Sequence, residues 1–237
     1  VKKSIVSCLA AIFLSACGGG DISGTKSLGE LYDGAYKKLG EKNYAEAAAM
    51  FTEAESSHPT SPWAADALVM AAYSQYLDRD FAATITTIDR FMRFHPGHKD
   101  ADYMLYLRGM CFYRQVSDVR REPGMGRNAL AAFGQLVQRF PNSEYAKNAD
   151  NKIVILKNHI AGKIMYSARR DLLAQNYPVA IANLQSLITN MQETKMTPEA
   201  LFRLNEAYTA MGLPEQAAGY REMLRLNFPD NEWSGKL

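Results

Sequence analysis

The chain has 237 residues, of which 47% are apolar, and its 27 basic side chains face 25 acidic ones. So even a balance excludes a protein built to neutralise nucleic-acid phosphates, which takes a basic field, while the apolar share is enough for a sizeable core. Three cysteines, Cys8, Cys17 and Cys111, are too few for a disulfide-built scaffold.

Lys2 and Lys3 precede the run SIVSCLAAIFLSA. Two positive charges, a short apolar stretch and a small-residue end predict a secretory signal over residues 1–16. The run is too short to span a bilayer, which needs about 20 apolar residues. Leu14-Ser15-Ala16-Cys17 resembles a bacterial lipobox, so cleavage before Cys17 and lipid attachment to its thiol are expected; the plainer alternative is a soluble secreted protein with a cysteine beside its cut site. One acyl chain holds a protein only marginally and stable anchoring takes two or more, which the diacylglyceryl and amine-linked chains of such lipoproteins provide. In that class an aspartate after the cysteine implies retention in the inner membrane; Gly18 stands there instead, which implies the outer membrane. Residues 17–27 read as a flexible tether. Cleavage removes Lys2, Lys3 and Cys8 and leaves 25 basic against 25 acidic residues. With Cys17 acylated, Cys111 is the remaining thiol, and no intrachain disulfide is expected.

Beyond the tether the sequence repeats itself. Segments 31–59, 68–96 and 201–229 align at equal length, and Pro59 and Pro96 stand 37 residues apart. Each holds two stretches with apolar residues at helical spacing, parted by a short turn and closed by proline, the pattern of a tetratricopeptide repeat with its period of about 34. Ala35, Ala72 and Gly109 on the first helices, and Ala47 and Ala217 on the second, predict close helix approach. Tyr44 and Phe81 are expected to fill the turns, and each closing proline is expected to stop its second helix. A third repeat pairs a helix over 105–116 with one over 126–141 across a longer connection, SDVRREPGMG. Pro141 to Pro229 leaves room for two more repeats, with a long helix over 148–175 and another from Tyr177. No strand signal competes. The predicted fold is all-α, a right-handed superhelical solenoid of about five repeats. Repeats one to three are assigned to 28–142, repeats four and five to 143–231, and 232–237 to a tail.

The positions one after each first-helix leucine, and four and seven further, share one helical face. They hold Tyr32, Tyr36 and Leu39; Val69, Tyr73 and Tyr76; Tyr106, Met110 and Tyr113. Tyrosine joins a large apolar ring to a hydrogen-bonding tip, so this face predicts a groove for an extended, aromatic-containing peptide. The alternative is that the rings pack between successive first helices. His95-Pro96-Gly97-His98 looks like a metal pair but falls in a turn without a third ligand nearby in sequence, so no metal is expected. His159 stands alone in a helix, Cys111 reads as core, and the glycines after Cys17 follow no strand and lack a phosphate-loop lysine. Arg120, Arg121 and Arg127 read either as a solvated loop or as a partner contact, since inserted loops of repeat proteins often lie on a binding face. No nucleophile–base pair or carboxylate constellation stands out; neither catalysis nor a cofactor is expected.

Two stretches carry a family resemblance: IDRFMRFHPGHKDADYMLYLRGM (88–110) and ALAAFGQLVQRFPNSEYAKNADNKIVILKNHIA (129–161). With the lipobox and five repeats, they make the chain similar to the BamD family of outer-membrane β-barrel assembly lipoproteins over essentially its whole mature length. LNFPDNEW near the end resembles the alphaproteobacterial branch. The loop after Val116 is shorter than in enterobacterial members, so contacts made through that loop are not carried over. The resemblance implies that repeats one to three engage unfolded outer-membrane proteins near C-terminal signals ending in an aromatic residue. It implies that repeats four and five, roughly 166–228, dock a POTRA domain of the barrel insertase, that further assembly lipoproteins join, and that the protein sits on the periplasmic face of the outer membrane. No nucleic-acid partner is implied. A repeat lipoprotein that regulates peptidoglycan synthesis or envelope constriction would share the anchor and the repeats, and stands as the alternative.

Overall fold

A computed structural model describes residues 26–116 and 124–237. The signal segment 1–16, Cys17, Arg120 and Arg121 lie outside the described residues. The chain forms α1 (Leu28–Gly40), α2 (Tyr44–Ser57), α3 (Ala64–Leu77), α4 (Phe81–Phe94), α5 (Ala101–Tyr113), α6 (Gly124–Arg139), α7 (Glu144–Leu173), α8 (Tyr177–Asn190), α9 (Thr197–Ala210) and α10 (Pro214–Asn227). Consecutive helices pack as five antiparallel pairs, an all-α solenoid. Among first helices α3 touches α5 and α5 touches α7, whereas successive second helices meet less closely, so the first helices of repeats two to four line the inner side of the stack.

Four expected boundaries move, the long helix α7 running over Glu144–Leu173 and not 148–175. Ser27 belongs to the fold and not to the tether: its hydroxyl accepts from the Glu30 N–H while the Glu30 carboxylate accepts from the Ser27 N–H (2.8 Å), a capping box. The first helix of repeat three begins at Ala101, ahead of the expected 105. The second begins at Gly124, which places Arg127 on an exposed helical position and not in a loop.

In repeats one, two, four and five the first helix reverses into its partner within three residues, and the same device does this in all four. Lys42, Arg79, Gln175 and Gly212 adopt left-handed backbone with φ of 61°, 64°, 57° and 72°. At each, this residue and the next donate back into the last turn; Lys42 N–H reaches Leu39 (3.0 Å) and Asn43 N–H reaches Lys38 (2.9 Å). This Schellman arrangement satisfies carbonyls that a helix end leaves open. Three of the four positions are not glycine, so the packing they permit offsets about 1 kcal/mol of backbone strain each. Asn43 and Asp80 then cap the second helices by accepting from the Glu46 and Ala83 N–H groups.

The turns between repeats also recur. His58, His95, Phe140, Met191 and Phe228 each donate back to the second helix and accept from the N–H three residues on, at 3.0–3.1 Å. Four of the five are followed by proline, as expected; Gln192 follows Met191, and α8 stops at the same place without one. The proline therefore reinforces a stop that the turn itself supplies. At the chain's end the turn leads to Trp233, whose ring lies 5.2 Å from Phe202, and to a 3-10 turn at Ser234–Lys236. The Ser234 hydroxyl donates to the Phe228 carbonyl (2.6 Å). Residues expected as a tail instead cover the end of the last repeat.

The small residues do what their spacing predicts. Ala35, Ala72 and Ala47 are fully buried and Ala217 nearly so, while Tyr44 and Phe81 are half-buried at the turns. Gly109 is held against α6: a Cβ there would lie 2.4 Å from the Phe133 ring. The 30-residue α7 serves two cores. Ala146, Ala149 and Leu156 pack with Leu105, Phe133 and Leu136, while Ala161, Met165 and Ala168 pack with Leu184 and Leu204.

Two outcomes follow from this packing. Gly109→Ala should destabilise the protein by about 1–3 kcal/mol in urea unfolding, since the Phe133 ring must give way. Gly134→Ala, whose Cβ meets nothing within 4 Å, should stabilise it by about 0.5–1 kcal/mol. Burial pushes the Cys111 thiol up to about 12, and its side chain is fully buried. Alkylation at pH 8, read at Cys111 by peptide mass, should be negligible in the native protein and rapid in urea.

Candidate functional site

The tyrosine face lies on the first helices, and its rings do two things at once. Tyr32 is half-buried: its hydroxyl donates to the Trp63 carbonyl (2.6 Å), and its ring stands edge-on to Phe51 (5.6 Å) and to Trp63 (6.0 Å). Tyr36 rests edge-on against the same Phe51 at 5.3 Å and keeps 50% of its surface exposed; Trp63 keeps 58%. Repeat one thus presents two open aromatic rings supported by a buried one.

Further along, the rings bridge repeats. Arg114 Nε donates to the Tyr76 hydroxyl (3.2 Å), which ties α5 to α3. Tyr106 donates to Asn148 Oδ1 (2.9 Å) and packs on Phe133 and Tyr145, which ties α5 to α6 and α7. Lys152 sits over both Tyr106 and Tyr113, 5.6 and 6.0 Å from the ring centres. Tyr73, Tyr76, Tyr106, Met110 and Tyr113 are all half-buried. The rings thus pack between first helices, as the alternative reading has it, and still expose part of themselves.

Burial raises the phenols of Tyr32, Tyr103 and Tyr145 above their usual range, with Asp66 adding to the effect at Tyr32, neighbouring tyrosines at Tyr103, and Asp102 and Asp100 at Tyr145. These hydroxyls stay neutral donors at any physiological pH. Sequence reasoning missed Trp63, Tyr103 and Tyr145 on this surface. One signal was available for Trp63, which stands four residues after Pro59, as Trp233 does after Pro229.

The histidine pair separates in the fold. His95 caps α4, its ring 5.8 Å from Phe91. His98 meets Asp66 of the preceding repeat (Nε2 to Oδ1, 3.7 Å) and Asp100 (Nδ1 to Oδ2, 3.6 Å). One of these partners, Asp66, comes from across the repeat boundary and the other, Asp100, stands two residues on, and the three groups lie within 4.8 Å of one another. The Asp100 N–H donates to His98 Nδ1 (3.3 Å) and Lys99 approaches Asp66 (3.8 Å). With Nδ1 already accepting and a cation already on Asp66, the cluster works as a polar staple between repeats two and three.

Repeats four and five carry a second surface. A cavity of about 390 Å³ opens between the end of α7 and α9, lined by Arg169, Leu172, Leu173, Tyr177, Arg203 and Ala207 among others. Leu173 is 87% exposed at its rim. The buried Glu199 carboxylate accepts from Arg169 Nε (2.8 Å) and from the other arm of the same guanidinium, with Arg203 Nε at 3.5 Å. That bridge fixes the two arginines beside the apolar rim.

Known proteins match this chain over nearly all of its folded length. The family model YfiO, described as outer membrane lipoprotein, matches residues 25–224. Outer membrane protein assembly factor BamD of Caulobacter vibrioides is 38% identical over 203 residues, covering 86% of this chain and 67% of that protein. BamD of Neisseria meningitidis serogroup A is 33% identical over 246 residues, covering 97% and 92%. BamD of Rickettsia prowazekii is 32% identical over 203 residues, covering 86% and 81%. The chain belongs to the YfiO family of outer-membrane lipoproteins, which it shares with the BamD assembly factors.

Proposed function

We propose that the chain is a non-catalytic scaffold of outer-membrane protein assembly, held at the periplasmic face of the outer membrane by lipid on Cys17. Repeats one to three hold extended segments of unfolded outer-membrane proteins; repeats four and five dock the POTRA domains of the barrel insertase; other assembly lipoproteins join the complex. The observation that carries this reading is the row of aromatic rings on the first helices of the first three repeats, open at Tyr36 and Trp63. Aromatic rings in a row suit an extended, aromatic-containing peptide, because they contribute large contact area at low conformational cost.

The titratable groups agree with a scaffold. Glu55 is held by Arg90 (2.9 Å), Glu199 by Arg169, and Cys111 is buried with its thiol pushed up; these are structural engagements. The exposed Leu173 rim supports the docking assignment, since an apolar patch flanked by fixed charges is the composition of a partner surface. No helix among the described residues is long and apolar enough to cross a membrane.

The test uses the mature chain and a fluorescent peptide from the C-terminus of an outer-membrane barrel protein. Tyr36→Ala and Trp63→Ala should each weaken binding about tenfold, near 1.4 kcal/mol, with little change in Tm because both rings are largely exposed. Unchanged affinity in both would overturn the peptide assignment. For the second surface, Leu173→Glu should weaken capture of the insertase's periplasmic region by a similar factor and leave peptide binding intact. Equal recovery of the insertase with this variant would remove the docking assignment.

A further inference from the structure

At the boundary of repeats two and three, on the turn side of the inner helices, Tyr76, Leu77, Arg79, Phe81 and Arg114 enclose a hollow of about 290 Å³. Its floor is apolar and aromatic, with the Tyr76 and Phe81 rings 5.9 Å apart. Its rim carries two guanidinium groups from different repeats, and each is placed by the backbone. Arg79 occupies the left-handed position of the α3–α4 turn, and Arg114 is the residue that closes α5.

The charge at this rim meets no carboxylate among the described residues. Arg90, Arg108, Arg169 and Arg203 pair with Glu55, Asp89, Glu199 and Glu206. Arg79 and Arg114 have no such partner among the described residues, although Asp78 and Asp80 flank Arg79 in sequence. Asp80 is committed to capping α4 through the Ala83 N–H (3.0 Å). Arg114 spends one donor on the Tyr76 hydroxyl and does so across the repeat boundary, not on the open carbonyls of its own helix. That bond orients the guanidinium and leaves its remaining N–H groups for another acceptor. Two guanidiniums beside aromatic rings, that of Arg114 oriented by Tyr76, match a carboxylate carried next to an apolar group, because the planar fork pairs with a carboxylate through two parallel hydrogen bonds.

We propose that the Arg79–Arg114 hollow is a carboxylate-binding site, which takes an acidic group of the peptide lying along the tyrosine face. Tyr76 belongs to both surfaces, so a chain running over the inner helices of repeats two and three passes the rim. The proposal rests on the peptide-binding reading above and adds to it a charge requirement on the ligand. The carboxylate is either the terminal one of the bound chain or that of an aspartate or glutamate side chain within it.

Three labelled peptides of one apolar-aromatic sequence separate these sources on the full mature protein: a free C-terminal acid without acidic side chains, its C-terminal amide, and the amide with one internal glutamate. The free acid should bind about tenfold more tightly than the amide, and added salt should erode that preference. Arg79→Gln and Arg114→Gln should each reduce the preference, and the double variant should abolish it. Folding is safeguarded in both: Gln175 already occupies the equivalent left-handed position in repeat four, and glutamine at 114 keeps a donor for Tyr76. If the glutamate-bearing amide alone gains affinity through the arginines, the site stands and the source is a side chain. If the double variant binds all three peptides as the native protein does, while Tyr36→Ala still weakens them, the carboxylate site is overturned and the tyrosine face survives. If none of the peptides binds the native protein, both proposals fall together.

Discussion

Four of the five repeats depend on reversing a helix within three residues. A first helix buries one stripe, and the partner that covers it must return antiparallel without a gap. The left-handed residue after each cap makes the reversal, and two backbone hydrogen bonds close the helix end behind it. Because Lys42, Arg79 and Gln175 do this without glycine, the constraint is enforced by the packing on both sides, and side chains remain available at the tight point of the turn. In repeat two that side chain is a guanidinium at the rim of a hollow; a glycine there, as in repeat five, would leave the position chemically silent.

The second unifying element is α7. Thirty residues at 1.5 Å each make a rod of about 45 Å. Its first half contributes Tyr145, Asn148 and Lys152 to the tyrosine face; its last turns contribute Arg169, Leu172 and Leu173 to the C-terminal cavity. The expected division at 142/143 therefore separates repeats but not cores, since α7 is buried in both. Two surfaces on one continuous, doubly packed helix cannot change their separation without breaking it. On the proposed function, this holds the substrate-gathering end at a set distance from the insertase.

Much of the fold was legible because it rests on local periodicity: apolar spacing, small residues at close approaches, and prolines after second helices all read correctly from single segments. What stayed hidden depends on residues distant in sequence or on backbone angles. Nothing in Lys42 or Gln175 announces a left-handed conformation, and α8 ends without the proline that marked its counterparts. The Tyr106–Asn148 bond spans 42 residues and the Tyr32–Trp63 bond 31, beyond any helical pattern. His98 was seen beside His95, yet its partners are Asp100 and a residue one repeat earlier. The tyrosines themselves were found by spacing; that the same rings would serve as inter-repeat packing and as open surface was not decidable, because helical periodicity gives a face and not the distance to the next helix.

That dual use sets how such a surface can recognise ligands. A tyrosine already bonded to a neighbouring repeat has little freedom left to lose, so a ligand ring that lands on it meets a fixed platform and avoids much of the ordering cost of binding. The hydroxyls are spoken for at Tyr32, Tyr76 and Tyr106, which leaves the ring faces as the readable feature and makes the surface tolerant of sequence. Discrimination must then come from fixed charges at its edges, and from geometry. A scaffold on a lipid tether works within a thin layer shared with its partners, where effective concentration multiplies weak contacts. On the proposed function permissive aromatic contacts are an advantage, since substrates of many sequences would be held and then released to the insertase.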